Sequence, residues 1–158
     1  MLTEKEKTFE NIVHRNKDLL WHVCQDYGLN AAWTPEDAFQ EVLCDIWKEM
    51  DHFRGECSER TWVYKIATSR LLAIKRKRSN RPSEAIPSDF APSCTPANLR
   101  EIEWAIESLD ELDRTILRAK LDGFDYAEIA TIAGISASAV GMRLVRIKNK
   151  LKTILNHE

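Results

Sequence analysis

Two runs of cations stand out in a chain whose net charge is only −2. From Arg70 to Arg81 there are six bases and no acid, and from Gly141 to Lys152 five bases and no acid. Cations clustered along a segment are suited to neutralising phosphates on a nucleic-acid backbone. Beside the first run stands Thr61-Trp62-Val63-Tyr64-Lys65-Ile66-Ala67, which continues into Leu71-Leu72-Ala73-Ile74-Lys75-Arg76-Lys77-Arg78. Aromatics next to cations suit unstacked bases and a single-stranded backbone. Trp62, Val63 and Ile66 fit a packed core equally well, and core is the preferred reading for Trp62, since large aromatics are mostly buried. For Lys75 to Arg78 the preferred reading is phosphate contact.

The second run lies within the most informative segment, Asp125 to Lys152. Ala130, Gly134 and Val140 have the spacing of a helix-turn-helix: a small residue where two helices cross, a glycine for a left-handed turn, and an apolar plug from the second helix. Ser136 is placed to cap that second helix, with Ser138 in its first turn. Ala137, Ser138, Gly141, Met142 and Val145 are expected on its exposed side, opposite Val140, Leu144 and Ile147. Arg143 and Arg146 flank that surface, and Lys148, Lys150 and Lys152 extend the charge. Such a helix offers small or polar side chains to base edges and cations to phosphates. A plain helical hairpin with a solvated basic tail is the competing reading.

The acids are segregated too. Glu36 to Asp51 holds six acids and one base, Lys48, and acids dominate again from Glu101 to Asp113. Separate blocks of sign predict separate surfaces with different partners, and no strong general affinity for polyanions.

The elements that must carry these residues read as all-α. Phe9, Ile12, Val13, Leu19, Leu20, Val23, Cys24 and Tyr27 follow helical spacing, with Gly28 as a stop. Thr34-Pro35-Glu36-Asp37 is a helix start, with a hydroxyl cap, proline in the first turn and acids against the dipole. The helix that follows is expected to bury Ala38, Phe39, Val42, Leu43, Ile46, Trp47 and Met50. Its other face shows Asp37, Gln40, Glu41, Cys44, Asp45 and Lys48. A loop from Asp51 leads to a third helix, about Glu59 to Arg78. Four of the five prolines fall between Ser79 and Asn98, which reads as a semi-extended linker. The chain then divides into residues 1–78, a linker at 79–98, and residues 99–158. In the last block Thr95-Pro96 repeats the start signal ahead of Leu99, Ile102, Ala105, Ile106 and Leu109. Asp110-Glu111-Leu112-Asp113 opens a helix carrying Leu112, Ile116, Leu117 and Leu121. Asp122-Gly123 is a turn, and Asp125-Tyr126-Ala127-Glu128 has capping-box form.

Several function classes find no footing. The 158 residues include five Trp and five Gly, a composition that argues against wholesale disorder and against collagen-like repeats. Cys24, Cys44, Cys57 and Cys94 show no CxxC pairing, and neither His22-Val23-Cys24 nor Cys44…His52…Cys57 has zinc-finger spacing, so neither a metal nor a cofactor is expected. Without a GxxxxGK[ST] loop, a GxGxxG or an HExxH, an enzyme is not expected. There is no apolar run of about 20 residues and no signal-peptide core after Met1, so a cytoplasmic protein without membrane insertion is expected.

Taken together, two motif sets resemble a known family. Asp37-x-x-Gln40-Glu41-Val42-Leu43-x-x-x-Trp47, Phe53-Arg54-Gly55, Thr61-Trp62-x-Tyr64-x-Ile66-Ala67 and the basic helix end resemble region two of a bacterial sigma factor. Leu109-Asp110-Glu111-Leu112, Tyr126-Ala127-Glu128-Ile129-Ala130, Gly134-Ile135-Ser136 and Val140-x-x-Arg143-Leu144 resemble its region four. The length and the Pro-rich linker are similar to the extracytoplasmic-function group. The resemblance implies that Asp37, Gln40, Glu41 and Asp45 dock on core RNA polymerase. It implies that Gly55, Arg60, Trp62, Lys65, Ser69, Arg70, Lys75, Arg76, Lys77 and Arg78 hold the minus-ten element of promoter DNA, with a base flipped from the stack. Ser136, Ser138, Met142, Arg143, Arg146, Lys148 and Lys150 would then read the minus-thirty-five element. It further implies an anti-sigma factor as partner. Ser69 and Ala73 stand where the family often has Asn and Asp, and Gly141-Met142 where it commonly has Lys-Ser; glycine there costs about 1 kcal/mol of helix stability against alanine. The competing class is a helix-turn-helix regulator that binds a palindromic operator as a dimer, without polymerase.

Overall fold

A computed structural model describes residues 1–27, 34–79 and 97–156 of the chain. Every regular element among the described residues is helical: α1 (Glu4–Asp26), α2 (Pro35–Glu49), a 3-10 turn (Met50–His52), α3 (Glu59–Ser79), α4 (Ala97–Glu107), α5 (Glu111–Leu121), α6 (Tyr126–Ala133) and α7 (Ala137–Leu155). The chain forms two compact units, Met1–Ser83 with α1 to α3 and Glu84–Glu158 with α4 to α7. The stop expected at Gly28, the start expected at Thr95-Pro96 and nearly all of the Pro-rich stretch lie outside the described residues.

In the first unit each helix packs on the other two. Capping boxes start α1 at Thr3 with Glu6 and α2 at Thr34 with Asp37, where Pro35 occupies the first turn as expected. The Ser58 hydroxyl receives the Thr61 N–H at 3.1 Å and opens α3. Ile12, Leu20 and Val23 of α1, Ala38, Val42 and Ile46 of α2, and Val63, Tyr64, Ala67 and Leu71 of α3 close the core. Burying each large aliphatic side chain in this way stabilises the fold by about 1.5–3 kcal/mol. The expected core of α2 is too wide. Phe39, Leu43 and Met50 are half-buried, and Trp47 remains 36% exposed. Trp47 sits at the rim of the α1–α2 seam, where the edge-on Phe9 ring (5.3 Å) and the Lys5 ammonium (4.7 Å) cover it in place of a core.

In the second unit three of the four helices are short and depend on their ends. Asp110 accepts the Asp113 N–H at 2.8 Å and caps α5. Asp125 and Glu128 form the expected capping box at α6. Gly134 has φ +72°, the left-handed turn the sequence called for, and Ser136 caps α7. Ala105, Leu109, Ile116, Ala119, Ile129, Ile132, Val140 and Ile147 are buried. Two expected core positions are exposed, Leu121 at 70% and Ile102 at 42%, and Ile106, Leu112, Leu117 and Leu144 are only half-buried. Leu121 ends α5, and the turn at Gly123 (φ +89°) brings Phe124 back into the core in its place, 1% exposed. No single helix among the described residues is long and apolar enough to cross a membrane.

Candidate nucleic-acid interface

On α3 the side opposite the core carries Trp62, Lys65, Ser69 and Arg76, spaced three, four and seven residues apart and therefore on one face. Lys65, Ser69 and Arg76 are exposed. Trp62 is half-buried, with its ring tilted against that of Phe53 at 4.8 Å and 32°. The loop before it turns at Gly55 (φ +73°), and Arg60 and Lys77 are exposed. Lys75 departs from this face. It points toward the packed side, with its ammonium 5.8 Å over the ring of buried Tyr27. The side chain of Arg78 lies outside the described residues.

The acidic face of α2 meets α3 at one point. Asp37 and Gln40 are exposed and Glu41 half-exposed, but Asp45 is bound by Arg70 through Nε at 2.5 Å and Nη2 at 2.6 Å. Glu41 stands 3.9 Å from the same guanidinium. Arg70 is thereby held more firmly protonated than usual, chiefly by the hydrogen bonds to Asp45. The sequence reading gave Asp45 to a protein partner and Arg70 to phosphate, whereas the fold binds them to each other.

A second tie anchors the start of α3. Glu59 accepts Arg15 through Nε at 2.9 Å and Nη2 at 2.8 Å, and the buried Asn16 amide at 2.9 Å. The Arg15 hydrogen bonds hold the Glu59 carboxyl below its ordinary value against the opposing effect of burial. Farther along α1, Cys24 is closed off from solvent, and burial pushes its thiol up to about 11, so it is an inert core residue.

In the second unit α6 and α7 meet at 95°, within the range of helix-turn-helix pairs. Ser138, Met142, Val145 and Asn149 line the outer face of α7, with Met142 75% and Val145 62% exposed. Ala137, Ser136, Lys148 and Lys150 are exposed as expected. Gly141 belongs to the other side. A Cβ built there would lie 3.5 Å from the Tyr126 ring, so the position faces α6 instead of solvent. The two arginines also differ from the expectation of free flanking cations. Asp113, 4% exposed on α5, accepts Arg143 Nη1 at 2.8 Å, and Arg146 Nη2 stands 3.5 Å from its other oxygen.

This arrangement coincides with matches to known proteins. Residues 12–81 match the Sigma-70 region 2 family model and residues 99–151 the Sigma-70 region 4 model. The ECF RNA polymerase sigma-E factor of Escherichia coli K12 is 31% identical over 142 residues, covering 75% of this chain and 74% of that protein. The chain belongs to the ECF RNA polymerase sigma factors. The ECF sigma factor SigG of Mycobacterium tuberculosis is 27% identical over 174 residues, with 87% of this chain matched but only 46% of SigG's length spanned. Two solved folds agree at TM-score 0.70 and 20% identity over 96% of this chain: CnrH in complex with the cytosolic domain of CnrY (90% covered), and the sigma factor RpoE of Bartonella quintana in complex with the anti-sigma factor NepR (99% covered).

The region 2 match contains α1 to α3 except the start of α1, and the region 4 match contains α4 to α7 except their two outer ends. Within this sigma-factor fold the α3 face gathers Trp62, Lys65, Ser69 and Arg76, and α7 gathers Ser138, Met142 and Val145. What the sequence reading missed are the acids Glu59 and Asp113. A signal existed for both ends of the Asp113–Arg143 tie. Asp113 stands three residues before Ile116 on α5, and Arg143 three after Val140 and four before Ile147 on α7. Each is a charged residue at core spacing.

Proposed function

We propose that this chain is an alternative sigma factor that joins core RNA polymerase and directs promoter recognition and strand opening, without being an enzyme itself. The observation that carries the reading is the outer face of α7: a small, polar and apolar stripe of Ser138, Met142 and Val145, presented after a capped 95° turn and bordered by Arg146, Lys148 and Lys150. Such a face suits base edges in a major groove, bordered by phosphate contacts. On α3 the stripe of Trp62, Lys65, Ser69 and Arg76, with Arg60 and Lys77 beside it, would hold the single-stranded minus-ten element, and the turn at Gly55 shapes the loop that leads to it. Asp37, Gln40 and Glu41 would dock on a basic surface of polymerase, with Asp45 sharing its charge with Arg70. An anti-sigma factor is a natural partner in this family, and NepR in the Bartonella complex is an example. The domain functions follow: residues 1–78 for polymerase and the minus-ten element, residues 99–158 for the minus-thirty-five element, and 79–98 as the link between them. Both matched family models are sigma-factor models, and this favours the reading over an operator-binding dimer.

Run-off transcription with purified core polymerase and genomic fragments tests it. The chain should produce discrete transcripts that core polymerase alone does not make. Reversing Asp37 and Glu41 should abolish polymerase association. Reversing Arg146 and Lys148 should leave association intact and abolish the transcripts. A chain that shifts a symmetric DNA site without polymerase, and adds nothing to core transcription, would refute the reading.

A further inference from the structure

The two arginines of α7 are unequal. Arg143 is 30% exposed and bonds at 2.8 Å to a carboxylate that is only 6% exposed. Arg146 is 62% exposed and stands 3.5 Å from the other oxygen, at the limit of a hydrogen bond. A nearly buried carboxylate has to be paired, because an uncompensated charge there carries a large desolvation penalty. The pairing falls to Arg143, whose position between Val140 and Ile147 sets it on the packed side of the helix. Asp113 is itself fixed in place, since its backbone N–H is held by the Asp110 cap. The chain from Asp110 to Asp113 to Arg143 thus connects the start of α5 to the middle of α7.

We propose that Arg143 is a positioning residue that acts through Asp113 to set the rotation of α7, and that Arg146 is the arginine α7 gives to DNA. The proposal rests on the reading of α7 as a DNA-binding helix. DNA phosphates compete for Arg146 because its tie to Asp113 is long and wet, while the Arg143 tie is short and shielded. The face shown to bases is then Ser138, Met142 and Val145, held in register by a strut on the far side.

The test uses the full chain with a labelled random-sequence duplex, its affinity followed by anisotropy across potassium chloride concentrations, and thermal melting of each variant. Every cation that neutralises a phosphate contributes about 0.9 to the slope of log K against log salt. Arg146→Met should lower that slope by about 0.9 and leave the melting temperature near wild type. Arg143→Met alone should melt more than about 10 °C lower, because it strands the Asp113 charge. In the double variant Asp113→Leu/Arg143→Met both charges go and similar volume stays, so melting temperature, slope and affinity should all return close to wild type. A double variant that folds but loses about 0.9 of slope, as Arg146→Met does, would show that Arg143 touches DNA, and would overturn the proposal alone. If neither variant changes the slope, α7 does not bind the duplex, and the proposal falls together with the DNA-reading function of this unit.

Discussion

In Met1–Ser83 three helices of 23, 15 and 21 residues lie against one another, whereas in Glu84–Glu158 four helices of 11, 11, 8 and 19 residues meet through tight turns. Long helices leave few ends to satisfy, and their stability comes from the seams between them. The first unit accordingly carries its ties between helices: Arg15 and Asn16 to Glu59, Asp45 to Arg70, Phe9 to Trp47 and Trp21 to Phe39. Helices shorter than about 12–15 residues are marginal alone, so each end matters. The second unit answers with caps at Asp110, Asp125 and Ser136 and a left-handed glycine at Gly134. Its charged ties between helices include Arg114 to Glu107, at the exposed junction of α4 and α5, and the nearly buried Asp113 with the two arginines of α7.

The largest expected effect separates the two cores. Leu20→Ala, at a fully buried site, should cost the first unit about 2–5 kcal/mol. Calorimetry should show one transition falling while the other keeps its temperature. If both fall together, the two cores melt as one cooperative unit and do not differ as two.

Next comes the Glu59 tie. Glu59→Ala leaves the Asn16 amide and Arg15 without this acceptor and should cost the first unit about 2–3 kcal/mol in urea unfolding. The pH dependence has a definite sign. The folded carboxyl is held below its ordinary value, so the unfolded chain binds more protons as pH falls through the carboxylate range. The contribution of Glu59 is present above its unfolded value near 4.5 and is lost as pH drops through the folded one. Unfolding curves from pH 7 to pH 3 should show this loss in the wild type and a smaller one in Glu59→Gln.

Smaller effects probe the turns of the second unit. Gly134→Ala meets no atom within 4 Å, so its cost is that of the left-handed backbone alone, about 1–2 kcal/mol. Gly141→Ala should move the other way. Its new methyl meets the Tyr126 ring at an ordinary 3.5 Å, and the gain in helix propensity is up to about 1 kcal/mol, visible as a small rise in melting temperature. A fall on Gly141→Ala would mean that the close approach of α6 and α7 depends on glycine there.

These contrasts also show which parts could be read in advance. The starts at Thr34, Asp125 and Ser136 and the turn at Gly134 were legible because a cap is a local event, made by a residue with atoms two or three positions away. The outer face of α7 was legible as spacing, whereas Lys65, Ser69 and Arg76 of α3 were brought together only by the family resemblance. Trp47 and Leu121 were misjudged because periodicity marks a side and not a depth, and the ends of a seam are open to water. Gly141 was placed outward because the path of α6 over it is not written in the residues of α7.

The residue order alone determined that the chain is helical, where its caps and turns stand, and which segments hold acids and bases, since each of these depends on neighbours within about one helical turn. Only the tertiary structure decided which charges meet. Asp45 and Arg70 are 25 residues apart, and Asp113 and Arg143 are 30 apart. An ion pair over such a span forms when two packed helices bring its members within hydrogen-bond reach, and local spacing carries no record of that approach.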